Sequence, residues 1–323
     1  MVLRSSSMNK KTISKFPYMI LLLIFACGFA LACDGENVLT GPEVPGPEEP
    51  GPEEPGNSEF NAETAAELMY LSLQAYQMLI DNNNGQSFTL PAPYELRQIL
   101  LTPEGFLGES LPVEVPIAFV ATSGSNIYMV FRGTKTIDEW ISDADYPLVD
   151  YTYGGKTEKG FTDIYNTLSV TEAISSAAES GNYNNVYVTG HSLGAALAVL
   201  AIPDIIENTD FKNPVMYNFA GPRAGNVDFK NLYEGYGIDS WRVYNTNDVV
   251  PTLPPTELSY VHVDTGYPIT FGAPVTDPLD FHQIAINHSS CNYYSTVCDL
   301  TSDPESCKAL GEGLDDCTFS SGQ

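Results

Sequence analysis

A Gly-x-Ser-x-Gly pentapeptide, Gly190-His191-Ser192-Leu193-Gly194, stands between the β-branched run Val186-Tyr-Val-Thr189 and an apolar run that opens Ala195-Ala-Leu197. A strand that breaks into a helix through such a turn holds a serine at a sharp corner, with its hydroxyl pushed out of the fold. The flanking glycines tolerate the strained backbone and let strand and helix approach closely. The helix start presents N–H groups to an oxyanion developing on a substrate carbonyl. The same five letters also occur in tight turns that carry a merely solvated serine. Here the flanks favour Ser192 as a nucleophile.

A serine nucleophile needs a base, and the base needs a carboxylate to orient it. On an α/β-hydrolase scaffold the chain order after the serine is acid, then histidine. That order sets aside His191, inside the turn, where its ring is expected to pack or hydrogen-bond beneath the elbow. Asp248, in Tyr244-Asn-Thr-Asn-Asp-Val-Val-Pro251, follows an apolar strand and precedes a proline-ended turn. It is expected at a strand's carboxyl end facing the serine, although an aspartate there could also simply close an Asx-turn. His262 alternates within Tyr260-Val-His-Val-Asp264 like a strand residue. His282 and His288 lie on the last loop before the final cysteines, and the spacing alone leaves both open.

The elements around these residues predict a single α/β domain. A helix is expected over 62–80 with Asn61 as its N-cap, and a hairpin from 117–121 and 127–131. Further expectations are a helix from about 161 to 179, the elbow strand and helix, and strands at 215–220, 241–244 and 260–264. Strands alternating with helices imply a mainly parallel central sheet covered by helices on both faces. Residues 59–299 are read as this catalytic domain and 300–323 as an acidic, cysteine-containing tail.

The first 33 residues read as an export signal: Arg4, Lys10, Lys11 and Lys15 precede an apolar stretch from Met19 to Ala32. Ala30-Leu-Ala32 suits ordinary signal peptidase. Followed by Cys33, it is also similar to a bacterial lipobox, although a leucine is usual where Ala30 stands. Cys291, Cys298, Cys307 and Cys317 form an even set for two disulfides, which suits an oxidising compartment. Lipidation would account for the odd Cys33, so the expectation is a secreted or cell-envelope protein of bacterial lipoprotein type. Residues 34–58 then form a linker, whose core Gly41 to Pro55 is three Gly-Pro-Glu-x-Pro pentapeptides with no apolar face to bury.

The signal holds four of the 14 basic residues and none of the 41 acidic ones, so the rest of the chain carries 10 against 41, a formal −31. Such acidity argues against nucleic acid and against adsorption to anionic membranes. The four histidines are too scattered for a plain zinc site, and no metal or cofactor is expected.

Five motifs in order make the chain resemble the class 3 (fungal-type) lipases of the α/β-hydrolase superfamily. They are Phe131-Arg-Gly-Thr134 with Asp138-Glu-Trp-Ile-Ser-Asp143, Lys159-Gly-Phe161, Val188 to Ala196, Asn218 to Asn226, and Asn245 to Pro251. The resemblance implies Ser192 as nucleophile, Asp248 as triad acid, and Thr134 and Leu193 as oxyanion donors through their backbone N–H groups. It favours His288 over His282, because the family's histidine stands just before the last helix, a few residues ahead of an aromatic. The departure is Cys291, close enough to pin or distort that loop. The resemblance also makes 136–144 a lid carrying Ile137, Trp140 and Ile141 on one side, though Trp140 could equally be a core anchor. The implied activity is hydrolysis of carboxylic esters, foremost acylglycerols at an oil–water interface. Feruloyl-type esters, phospholipids and a non-catalytic surface-binding role are the alternatives.

Overall fold

The computed structural model describes residues 59–103, 114–134, 146–263, 265–277 and 280–319. The lid candidates Ile137, Trp140 and Ile141, and the lipidation candidate Cys33, lie outside the described residues.

The organising helix runs straight out of the elbow. It spans Leu193–Asn208 (α4; the other elements are also numbered in chain order), and nearly its whole circumference is apolar and buried. A helix apolar all round belongs inside a sandwich of layers rather than on a surface. It packs on a seven-stranded sheet in the order β1-β2-β3-β6-β7-β8-β9. The strands are β1 Glu95–Pro103, β2 Glu114–Ser123, β3 Asn126–Phe131, β6 Asn185–His191, β7 Val215–Phe219, β8 Ser240–Asn245 and β9 Thr265–Ile269. β1, β2 and β3 are antiparallel, with Ser123 opposite Asn126 at the predicted hairpin. From β3 to β9 every pairing is parallel. A small hairpin, β4 Leu148–Asp150 with β5 Lys156–Glu158, stands apart.

Alternation along the strands divides the core in two. Ile127, Met129 and Phe131 face α4 together with α2 (Lys159–Tyr165), α3 (Val170–Ala178) and α5 (Val227–Glu234). Tyr128, Val130, Tyr217 and Phe219 face α1 (Ala62–Asn83) and α7 (Ser290–Cys298) on the other side. Asn61 caps α1 as expected, its Oδ1 accepting from Thr64 N at 2.8 Å. The observed architecture is the α/β-hydrolase arrangement expected from the sequence.

Three expectations need correction. The helix expected over 161–179 is two helices broken at 166–169. Thr167 Oγ1 bonds back to the Ile164 carbonyl at 2.7 Å and to Thr102 Oγ1 at 2.9 Å, tying the break to β1. The strand expected at 260–264 is displaced to β9 at 265–269. Residues 260–262 turn inward instead: Tyr260 donates to the Tyr146 carbonyl, Val261 bridges Gly225, and His262 donates to the Pro251 carbonyl. The edge strand β1 is absent from the sequence-based expectations, because its bulged sequence, with only Leu100 and Thr102 buried, lacks clean alternation.

Beyond residue 299 the chain is structured. α8 (Pro304–Gly311) and a short 3₁₀ turn at Leu314–Asp316 return the chain towards α1. Cys298 bonds to Cys307 and Cys291 to Cys317, each pair with Cα atoms 5.5 Å apart. The two disulfides expected from the cysteine count are present.

Candidate active site

Ser192 sits between β6 and α4 with φ 61° and ψ −125°, a conformation that a non-glycine residue adopts only when its surroundings force it. The forcing is visible at the two glycines. A Cβ on Gly190 would lie 2.3 Å from the Gly194 carbonyl group, and one on Gly194 would lie 2.3 Å from the Phe131 oxygen. The elbow is also held by Ser192 N donating to the Phe219 carbonyl at 2.9 Å, which hangs it on the end of β7.

The structure brings Ser192, His288 and Asp248 together. His288 follows α6 (Phe281–Asn287), and its Nε2 lies 2.8 Å from Ser192 Oγ while its Nδ1 lies 2.8 Å from Asp248 Oδ2. All three residues are buried, at 1, 6 and 4% exposure, so the contacts form away from bulk water. With Nδ1–H donating to the carboxylate, Nε2 is left to accept from the serine hydroxyl. His282 lies exposed on α6 and is not part of this cluster.

Asp248 stands just past the end of β8. Its Oδ1 accepts from Val250 N at 3.0 Å, closing the Asx-turn, and its Oδ2 accepts from the Tyr293 hydroxyl at 2.9 Å. The turn and the contact to His288 therefore coexist. Tyr293 in turn accepts from Asn245 N at 2.8 Å, and burial, with the Asp248 charge second, pushes its phenol far above the usual range. It is a fixed donor. Asn245 and Asn287 stitch the acid and histidine loops together: Asn245 Nδ2 donates to the Asn287 carbonyl at 3.0 Å, and Asn287 Nδ2 to the Asn247 carbonyl at 2.8 Å. Beyond Asp248 the turn is anchored by Arg223, which donates to the Pro254 carbonyl at 2.8 Å, and by His262, which donates to Pro251 at 2.7 Å.

His191 packs beneath the elbow, as expected. Its Nδ1 is 2.9 Å from the Tyr76 hydroxyl, and its ring centroid is 4.9 Å from that of His288. Burial, with the neighbouring His288 as second cause, holds it well below the usual histidine range, so it is neutral. Tyr76 also receives a hydrogen bond from the Gly133 backbone. Gly133 lies close against Ser192, since a Cβ on it would be 3.0 Å from Ser192 Cβ. Thr134, half-buried, follows it, and Leu193 is the first residue of α4. Of the two oxyanion candidates, Leu193 adjoins the serine in the chain and Thr134 follows the glycine packed against it. Arg132 is buried behind them, its Nε donating to the Pro116 carbonyl at 3.0 Å and its Nη1 to the Gly133 carbonyl at 2.6 Å. Among the described residues no group of three or more histidine, cysteine, aspartate or glutamate side chains could hold a metal ion.

Sequence reasoning missed Tyr293, Tyr76, Asn245 and Asn287 as supports. Only their positions beside Asp248 and His288, or on the first helix, gave any sign of them.

A mainly parallel sheet with a serine elbow at its centre, and a histidine and an aspartate brought to that serine from later loops, defines a protein of α/β-hydrolase fold. The family description "Lipase (class 3)" matches residues 128–258. Over 162 residues the chain is 36% identical to a lipase of Rhizomucor miehei, covering 48% of this chain and 44% of that protein. Over 160 residues it is 32% identical to the chloroplastic phospholipase A1-Igamma3 of Arabidopsis thaliana, covering 40% and 30%. The solved Rhizomucor miehei lipase in its propeptide complex superposes with a TM-score of 0.54 at 28% identity, over 67% of this chain and 71% of that one. Residues 128–258 thus resemble the class 3 lipases, in sequence and in the fold that carries them. The matched stretches span less than half the length of those two sequence relatives.

Proposed function

We propose that the protein is a serine-dependent carboxylic ester hydrolase that acts on acylglycerols. The observation that carries this reading is the His288 imidazole, 2.8 Å from Ser192 Oγ on one side and 2.8 Å from Asp248 Oδ2 on the other. In the first half-reaction Ser192 Oγ attacks the ester carbonyl carbon and His288 Nε2 takes the hydroxyl proton. The bond to the leaving alkoxide then breaks, and His288 returns the proton to the departing alcohol. In the second half-reaction water attacks the acyl-enzyme, with its proton going to Nε2 and then back to Ser192, releasing the carboxylic acid. Asp248 holds the ring orientation and compensates the imidazolium charge. The backbone N–H groups of Thr134 and Leu193 receive the oxyanion, at about 3–4 kcal/mol per donor in comparable sites.

The likeness to the Rhizomucor miehei lipase supports acylglycerols as the substrate class. A phospholipid substrate is the second reading, favoured by the phospholipase A1 relative. A fluorophosphonate probe should label the protein, and Ser192→Ala should abolish the labelling. An unlabelled wild-type protein would mean a non-catalytic role. Emulsified triglyceride against phosphatidylcholine vesicles and methyl ferulate separates the substrates, and inactivity on dispersed acylglycerol would remove the lipase reading.

We also propose export, with an anchor at Cys33. Cysteines paired in two disulfides suit an extracellular location. Lipidation of Cys33 rests on the sequence alone, and a mature N-terminus with a free Cys33 thiol and amine, read by mass spectrometry, would exclude it.

A further inference from the structure

The C-terminal turn sends one carboxylate back behind the site. Asp315 Oδ2 accepts from Ser290 Oγ at 2.8 Å, two residues after His288. The Asp315 N–H is 3.4 Å from Gln77 Oε1, next to Tyr76, and its carbonyl faces Cys291 Sγ at 3.9 Å. The carboxylate also acts electrostatically on Tyr76 and on Arg132. Those two side chains hold the other walls: Tyr76 carries Gly133 and His191, and Arg132 carries the Pro116 and Gly133 carbonyls. One residue thus bonds the histidine loop and the first helix beside the elbow histidine's partner, and its charge bears on Arg132 behind the loop that leads into Thr134.

Its backbone is unusual for such a residue. Asp315 has φ 49° and ψ 35°, a left-handed conformation that aspartate tolerates at a cost. Two residues later Cys317 is bonded to Cys291, one residue past Ser290. The disulfide and the Ser290–Asp315 hydrogen bond therefore close the same short link from opposite ends. Arg132 is buried with carbonyl oxygens bonded to its guanidinium, so a nearby carboxylate offsets a charge removed from water. Burial lowers this guanidinium to about 10 even with Tyr76 and Asp315 opposing the fall.

We propose that Asp315, clamped by the Cys291–Cys317 disulfide, is a positioning residue that aligns the His288 loop with the Gly133–Thr134 loop, so that turnover depends on this one disulfide. The inference rests on the ester-hydrolase reading above. Asp315 touches no substrate. It fixes the distance between the base and the oxyanion donors by holding the supports of both, and sub-ångström misplacement at that level costs rate rather than substrate affinity.

The test uses the full chain and a soluble p-nitrophenyl ester. Asp315→Asn keeps the left-handed preference and an oxygen for Ser290 but removes the charge that bears on Arg132. It should lower kcat about tenfold, with KM within about twofold, and slow fluorophosphonate labelling by the same factor. Cys291→Ala/Cys317→Ala should give a similar fall. Adding Asp315→Asn to that pair should lower kcat little further, because both changes break one link. Thermal unfolding of each variant is recorded in parallel. A merely structural segment would lower the melting temperature while leaving kcat and the labelling rate at 25 °C as in the wild type, and that result overturns the proposal. Independent, multiplying losses in the triple variant would also overturn it. If the wild-type protein is itself unlabelled by the probe, the hydrolase reading fails first, which separates the two outcomes.

Discussion

The Tyr293 hydroxyl donates to Asp248 Oδ2 at 2.9 Å, the same oxygen that faces His288 Nδ1 at 2.8 Å. One carboxylate oxygen thus meets the imidazole and a fixed phenol together, while the other oxygen closes the turn onto Val250 N. The carboxylate has no freedom to rotate away from the histidine. Asn245 N, which donates to the same phenol, puts the strand end itself in the chain of contacts.

Tyr293→Phe should therefore reduce kcat on a soluble ester by about three- to tenfold, with little change in KM. It removes a hydrogen bond to a charged group, worth about 1.5–3 kcal/mol, and leaves Asn245 N without its acceptor. Urea unfolding should show a loss of about 1–3 kcal/mol. A variant with wild-type kcat would show that the acid needs no second donor.

The two histidines of the last loop should separate cleanly. His288→Ala should lower kcat by about 10⁴-fold or more, as loss of a triad base does. His282→Ala, on the exposed face of α6, should stay within about twofold of wild type. The reverse pattern, measured with the same ester, would transfer the role of base to His282.

How much of this was open to a reader of the sequence depends on how local each cause is. Ser192 and Asp248 announce themselves because an elbow and a strand-end turn are built from neighbours in the chain. His288 is different: its spacing from Asp248 says nothing of direction, and His282 has the same composition around it. Only the fold of α6 turns one ring inward and leaves the other in solvent. The supports were less legible still. Tyr76 lies 115 residues from His191, and Asn245 lies 48 from Tyr293, so nothing local marks either pair. The misplaced strand at 260–264 has the same origin. Its alternation is real, but distant partners, Gly225 and Tyr146, draw the segment out of the ladder. The helix break at 166–169 needed Thr102, on a strand whose own pattern is weak.

The elbow glycines set a steric limit that can be measured directly. Gly190→Ala would place a methyl 2.3 Å from backbone atoms of Gly194, which cannot move without shifting the start of α4. Overpacking in a tight core costs about 1–3 kcal/mol, and here the strain falls on Ser192 itself. The variant should melt several degrees lower and lose probe labelling by more than tenfold. Gly85→Ala, with no heavy atom within 4 Å of the new carbon but φ +70°, is the control. It should show a modest loss of stability and unchanged labelling. Equal effects of the two substitutions on labelling would argue against the close approach of strand and helix.

Acid should destabilise the fold through His191. Its folded pKa is depressed by burial and by the neighbouring His288, whereas the unfolded chain titrates it near the ordinary value of about 6.5. Below that value the unfolded state binds a proton that the folded state refuses, so stability falls as pH drops. The slope from this one group approaches about 1.4 kcal/mol per pH unit once pH is well under 6.5. His262 adds in the same direction, because burial, followed by the Arg242 charge, brings it down to about 3. Glu158 works the other way: burial raises its carboxyl, so acid relieves it at the lower end of the range. Urea midpoints between pH 7 and pH 4.5 should therefore fall steeply in the wild-type protein. His191→Asn, which cannot be protonated, should flatten that slope by close to one proton's worth while lowering stability at pH 7 through the lost Tyr76 contact. An unaltered slope in this variant would mean that His191 accepts a proton in the folded protein as readily as in the unfolded chain, and that the ring beneath the elbow is not held neutral.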